Sequence, residues 1–203
     1  MAAAAKAVSG ALRAGTRVPG FELPDSRGNR ISLDQLLAAG PVVLSFMRGA
    51  WCAFGEESLE RLATTHARIV EAGAVAMAIA PPRPLPSPGQ ALAIPELVDV
   101  DMMVARSFGL AFELPAELRQ KYLQLGYVPP RTRDSQSFLV PIPATYLVDQ
   151  KGVVVLAHID ADYRHHLDHA TLLGALHSVR ARAAGRERTV SLLAGRWRPG
   201  RNH

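Results

Sequence analysis

The chain has 203 residues, of which 48% are apolar and 20% charged, a length and balance that suit one well-buried globular domain and exclude a disordered or fibrous chain. Every uninterrupted apolar stretch falls short of the roughly 18–20 residues that span a bilayer, so no membrane is expected as a partner. The formal net charge is +5, but seven arginines against the single acid Glu187 from Arg180 onward hold the whole excess; a near-neutral body with a basic end does not point to nucleic acid as a partner.

In chain order, the opening Met1 to Gly15 is alanine-rich without a compact Leu/Val/Phe segment, and it reads as a loose arm rather than a signal peptide. Val42 to Met47 is a short apolar run after Gly40-Pro41, the pattern of a buried strand. Leu59, Leu62, Ala63, His66, Ile69 and Val70 then recur at three- and four-residue spacing, which predicts an amphipathic helix closed by Gly73. Val75 to Ala80 is a second buried strand, stopped by Pro81-Pro82, and the prolines up to Pro88 impose a loop. Leu97-Val98 gives a short third strand. Met102 to Phe108 reads as a short helix ended by Gly109, and Pro115 to Leu125 as a helix with Gly126 behind it. Tyr127 to Val140 reads as a surface excursion. Ala144 to Val148, a turn at Asp149-Gln150-Lys151-Gly152, and Val153 to Ile159 form a hairpin. A final helix starts near Asp168, a good N-cap, with Leu172, Leu173, Leu176 and Val179 on one face.

A strand–helix–strand opening implies parallel pairing through a crossover, and the hairpin adds an antiparallel pair. The expected class is therefore α/β, a central mixed β-sheet flanked by helices on both faces, with an N-terminal extension. That is the thioredoxin-like layout. Residues 1–14 are expected as the arm, 15–184 as the domain and 185–203 as a basic C-terminal tail.

Three segments, in order and at matching spacing, resemble one family. Val18 to Asp25, followed by Gly28 and Ile31-Ser32-Leu33, is similar to the opening of the alkyl hydroperoxide reductase and thiol-specific antioxidant (AhpC/TSA) proteins. Arg48-Gly49-Ala50-Trp51-Cys52-Ala53-Phe54-Gly55 resembles the RGxWCPYC motif of their thioredoxin-like branch, and Pro143-Ala144-Thr145-Tyr146-Leu147-Val148-Asp149 resembles the segment that carries a cis-proline. The resemblance implies a peroxiredoxin-like oxidoreductase with Cys52 as the catalytic thiol. It places Arg48, Gly49, Trp51, Gly55, Pro143, Ala144 and Thr145 around it, with Ile142–Pro143 expected as a cis peptide beside the sulfur. The departures are specific. Gly55 stands where dithiol members carry a second cysteine, and Ser45 and Gly49 stand where typical peroxiredoxins carry proline and threonine.

Read without the family, Cys52 follows a buried strand and opens an amphipathic helix, whose unpaired amides favour a thiolate. It is the single cysteine of the chain, so no internal disulfide is possible and a reducing, cytoplasmic setting is expected. Its chemistry is that of one sulfur: attack on a hydroperoxide, or exchange with a small disulfide. Recycling then needs an external thiol, glutathione or a thioredoxin-type protein, or Cys52 of a second subunit in a homodimer. The rival reading is a non-catalytic thioredoxin-fold binding module with a degenerate site. No cofactor is implied. His165, His166, Asp168 and His169 cluster, but Asp168 as an N-cap breaks the continuous helix that a His165/His169 metal pair requires, so solvated loop histidines and no metal are expected.

Overall fold

Val42 to Phe46 is buried at every residue, which a strand permits only when covered on both faces and flanked on both edges. The computed structural model describes residues 8–49, 52–82, 94–127, 138–159 and 167–196, and in it this strand is the centre of the fold. Strands β1 (Glu22–Pro24) and β2 (Arg30–Ser32) form a hairpin, and Ser32 then caps helix α1 (Leu33–Ala39). The Ser32 hydroxyl accepts from the Gln35 amide at 3.2 Å and the Gln35 side chain accepts from the Ser32 amide at 2.8 Å. Removing such a cap costs about 0.5–2 kcal/mol.

After β3 (Val42–Phe46) come α2 (Ala53–Glu71), β4 (Val75–Ala80), β5 (Glu96–Val98) and α3 (Met103–Ser107). They are followed by β6 (Ala111–Glu113), α4 (Ala116–Gln124), β7 (Leu139–Pro141), β8 (Ala144–Val148), β9 (Val154–Ile159) and α5 (His169–Arg196). The central sheet has the order β5-β4-β3-β8-β9. β3 and β4 pair in parallel through α2, and β4 and β5 also pair in parallel; β8 runs antiparallel to both β3 and β9. The mixed sheet and its crossover are as the sequence predicts.

Alternation along the strands sorts the core into two layers. Val42, Leu44, Phe46, Tyr146 and Val148 pack with Leu33 and Leu36 of α1 and with Val104 and Phe108. Val43, Met47, Ala76, Ala78 and Leu147 pack with Leu62 and Ile69 of α2 and with Leu172, Leu173, Leu176 and Val179 of α5. The apolar face read for the last helix is thus the one it buries. Asp99 lies ahead of α3 and faces its first turn: its carboxylate accepts from the Val104 and Ala105 amides at 3.3 and 2.8 Å. Burial pushes its pKa up despite those bonds.

Two expectations are corrected. The arm is not loose from residue 8 onward: Ala11 is buried, the Leu12 amide donates to the Phe108 carbonyl at 3.1 Å, and Val8 and Leu12 pack on the first core layer. Small apolar side chains suffice because the contact is backbone against backbone. Nor is the stretch from Tyr127 to Val140 a surface excursion at its ends. Tyr127, Phe138 and Val140 are buried with Leu114 in a third cluster, β7 pairs with β6, and the Tyr127 hydroxyl donates to the Leu139 carbonyl. Residues 128–137 lie outside the described residues.

The arm contact depends on Gly109. Its φ is +71°, and a Cβ there would overlap the Gly10 carbonyl oxygen and meet Ala11 Cα at 2.9 Å. Backbone neighbours cannot rotate away. Gly109→Ala should therefore displace the arm and lower Tm by several degrees, since left-handed strain alone is about 1–2 kcal/mol. Faster amide exchange at Leu12 together with a lower Tm checks it; an unchanged melt would show that the arm contact is dispensable.

Candidate functional site

The site grows from the C-terminal end of β3. Met47 prolongs the parallel pairing, its amide donating to the Ile79 carbonyl at 2.9 Å. The chain then turns away at Gly49, whose φ of +94° is open to glycine and strained for other residues. The turn closes with the Cys52 amide donating to the Gly49 carbonyl at 3.2 Å. Cys52 is the N-cap of α2, extended at φ −112° and ψ 120°, and its sulfur makes no capping bond. The residue is partly exposed. A 19-residue helix thus starts directly behind the thiol, with the amides of its first turn at that end.

Arg48 is buried, at 8% exposure. Its Nη2 donates to the Tyr122 hydroxyl at 2.9 Å, and its guanidinium lies 5.7 Å from the centre of the same ring. Tyr122 packs edge-on against Tyr127, and Tyr127 against Phe138. Arg48 therefore ties the start of the cysteine loop to α4 and the third apolar cluster. Burial pushes the Tyr127 hydroxyl's pKa well up, so it stays protonated.

Ile142–Pro143 is a trans peptide, against the expectation of a cis bond. The chain runs extended from β7, held by Pro141 opposite Ala111 and by the Ile142 amide on the Leu110 carbonyl at 2.7 Å, straight into β8 opposite β3. An extended path between two ladders has no reversal to accommodate. Pro143, Ala144 and Thr145 line one cavity with Ser45, and Cys52 is not among the described residues lining it. Ala50 and Trp51 lie outside the described residues, and Gly55 is in the first turns of α2.

Asp168 caps α5 as read, its carboxylate accepting from the Thr171 amide at 2.9 Å, which holds its pKa below the usual carboxylate value. His169 is not a solvated loop histidine. It is half-buried in the first turn of α5, with Nδ1 2.9 Å from the Thr65 hydroxyl, because Leu172 and Leu173 draw the helix onto the sheet. His165 and His166 lie outside the described residues. Among the described residues no group of three or more His, Cys, Asp or Glu is placed to hold a metal, and no helix is long and apolar enough to cross a membrane.

Sequence reasoning missed Thr65 and His158, which line the cavity beside Pro143. The signals were present: Thr65 interrupts the apolar spacing between Leu62 and Ile69, and His158 interrupts an otherwise apolar strand.

The loop geometry also explains one departure from the motif. At φ +94° a β-branched residue is a conformational outlier. Gly49→Thr should lower stability by roughly 1–3 kcal/mol without raising peroxide turnover, as read by denaturant unfolding and a consumption assay. Undiminished stability would show that the loop accepts the residue.

The model of the AhpC/TSA family matches residues 14–157. No curated protein matches the chain. Peroxidoxin BcpB from Mycobacterium tuberculosis is a similar solved structure, with a TM-score of 0.60 at 24% identity, over 84% of this chain and 97% of that one. Peroxiredoxin Q from Xanthomonas campestris gives 0.57 at 19%, over 81% and 97%. The reduced 2-Cys peroxiredoxin from Plasmodium vivax gives 0.61 at 13%, over 85% and 84%. At these identities the likeness to the solved structures is one of fold. With the family model spanning the three motifs, most of the sheet and the cysteine helix, this chain belongs to the AhpC/TSA family.

Proposed function

We propose that the protein is a single-cysteine thiol oxidoreductase that reduces hydroperoxides through Cys52. The observation that carries this reading is a partly exposed thiol at the N-cap of a long helix, in a chain of the AhpC/TSA family. The sulfur attacks the distal oxygen of a hydroperoxide; the O–O bond breaks, the alkoxide leaves with a proton as an alcohol, and the sulfur becomes a sulfenic acid. One external thiol condenses with it, releasing water, and a second displaces the mixed disulfide, restoring Cys52. Glutathione or a thioredoxin-type protein fits that role, as does Cys52 of a second copy. In this reading Arg48, Gly49, Trp51 and Gly55 surround the thiol along the chain, and Pro143, Ala144 and Thr145 supply the far wall. The activity resides in residues 15–184 in a cytoplasmic setting, with 185–203 as a basic C-terminal segment.

A second reading, a binding module with a degenerate site, draws support from Gly49 and from the engagement of Arg48 by Tyr122. One assay separates them. Peroxide consumption with an external thiol should be measurable for the native protein and fall to the uncatalysed background for Cys52→Ser. Equal rates for the two proteins would leave the binding module as the account.

A further inference from the structure

A second polar site lies on the face of the sheet covered by α2 and α5. Ser45 is paired with Thr145, and Thr145 with His158, so the three stand in one row across β3, β8 and β9. They alternate with Val43, Leu147 and Leu156 of the second core layer and share its face. Arg61 and Thr65 from α2 and His169 from α5 close over the row, and Met47, Leu62 and Leu172 add apolar wall. The cavity measures about 90 Å³. A single water needs roughly 10–15 Å³ on this measure, so there is room for a molecule of several heavy atoms.

The polar groups differ in how far they are satisfied. Thr65, only 2% exposed, is engaged by His169 Nδ1 at 2.9 Å and by the Arg61 carbonyl at 3.3 Å. His158 Nε2 is buried, and none of the described residues hydrogen-bonds it. Buried polar atoms are nearly always partnered, so this nitrogen calls for a polar atom of a ligand. No acidic side chain is among the described residues that line the cavity, and Arg61, which also lines it, is ion-paired with Glu57 at 3.3 Å.

We propose that this cavity binds a short-chain carboxylate. The carboxylate accepts from His158 Nε2–H and from the hydroxyls of Ser45 and Thr145, and the hydrocarbon tail lies against Met47, Leu62 and Leu172. A charged acceptor makes the stronger bonds to such a row of donors, and a neutral isostere lacks that gain. The site goes beyond the thiol reading: Thr145, which that reading gives only to the far wall, here donates to a ligand, and Cys52 is not among the binding groups.

Butyrate, titrated into the full-length protein and followed by calorimetry and by the histidine side-chain resonances, tests it. Saturable one-site binding is expected, at least about tenfold tighter than butyramide and about tenfold weaker in His158→Leu. Thr145→Val, which keeps the shape and suits a strand, should also weaken butyrate and serves if His158→Leu fails to fold. Cys52→Ser should leave the affinity unchanged, even if the peroxidase reading fails. Equal binding of butyramide, no saturation at millimolar butyrate, full affinity in a folded His158→Leu or Thr145→Val variant, or loss of binding in Cys52→Ser would each overturn the proposal.

Discussion

Mild peroxide treatment of the native protein is expected to add one oxygen to Cys52, and without a reductant the product should go on to the two-oxygen sulfinic acid. The expectation rests on counting and on place. Cys52 is the single cysteine of the chain, and Gly55 holds the position of a resolving thiol, so no disulfide within one subunit can intercept the sulfenic acid. The sulfur sits at the start of α2 and is partly exposed, so peroxide can reach it. Intact-mass spectrometry distinguishes the outcomes: one added oxygen, two, a glutathione adduct when glutathione is supplied, or a disulfide-linked dimer. Added glutathione should divert the product from the irreversible acid to the adduct. A Cys52 left unmodified by peroxide, while the unfolded chain reacts, would mean that the thiol is structural.

Phe108→Ala should be the most destabilising of the substitutions considered. Phe108 is fully buried, with its ring centre 4.8 Å from that of Phe46 and 5.4 Å from that of Tyr146. The Phe46 and Tyr146 rings meet edge-on at 6.0 Å, so the three rings join β3, β8 and the end of α3 into one packed unit. Removing a buried phenyl ring costs about 3–5 kcal/mol through lost burial and the cavity left behind. For a chain of this size that corresponds to a fall in Tm of about 6–20 °C. The helix-covered face carrying α2 and α5 is not touched, so peroxide reactivity of Cys52 below the new Tm should be retained. A small shift in a thermal melt would show that the arm and α3 close over the lost ring.

Local pattern fixed much of the architecture. Val42 to Phe46 and Val75 to Ala80 are apolar throughout, which only a doubly covered strand accommodates. Leu172, Leu173, Leu176 and Val179 recur at helical spacing and are the residues α5 buries. Asp168 and the turn at Asp149 to Gly152 work through short-range hydrogen bonds that the sequence spells out. The position of Cys52 between a strand and a helix is of the same kind, because strand, turn and helix start are contiguous in the chain.

The tertiary structure alone decided what depends on partners far apart in sequence. Tyr127, Phe138 and Val140 look like residues of a polar stretch, and they are buried because β7 finds β6 and Arg48 finds Tyr122. Ala11 belongs to an arm with no amphipathic pattern, and it is held because glycine at 109 lets two backbones approach. Ile142–Pro143 fitted a motif in which the peptide is cis, and the two ladders on either side draw it out as trans. Ser45, Thr65, Thr145, His158 and His169 come from three strands and two helices. Each alone reads as an ordinary polar interruption of an apolar pattern. Strand register sets Ser45, Thr145 and His158 side by side, and the apolar stripes of α2 and α5 then lay Thr65 and His169 over them, a convergence that pairing and packing create and no local stretch of sequence encodes.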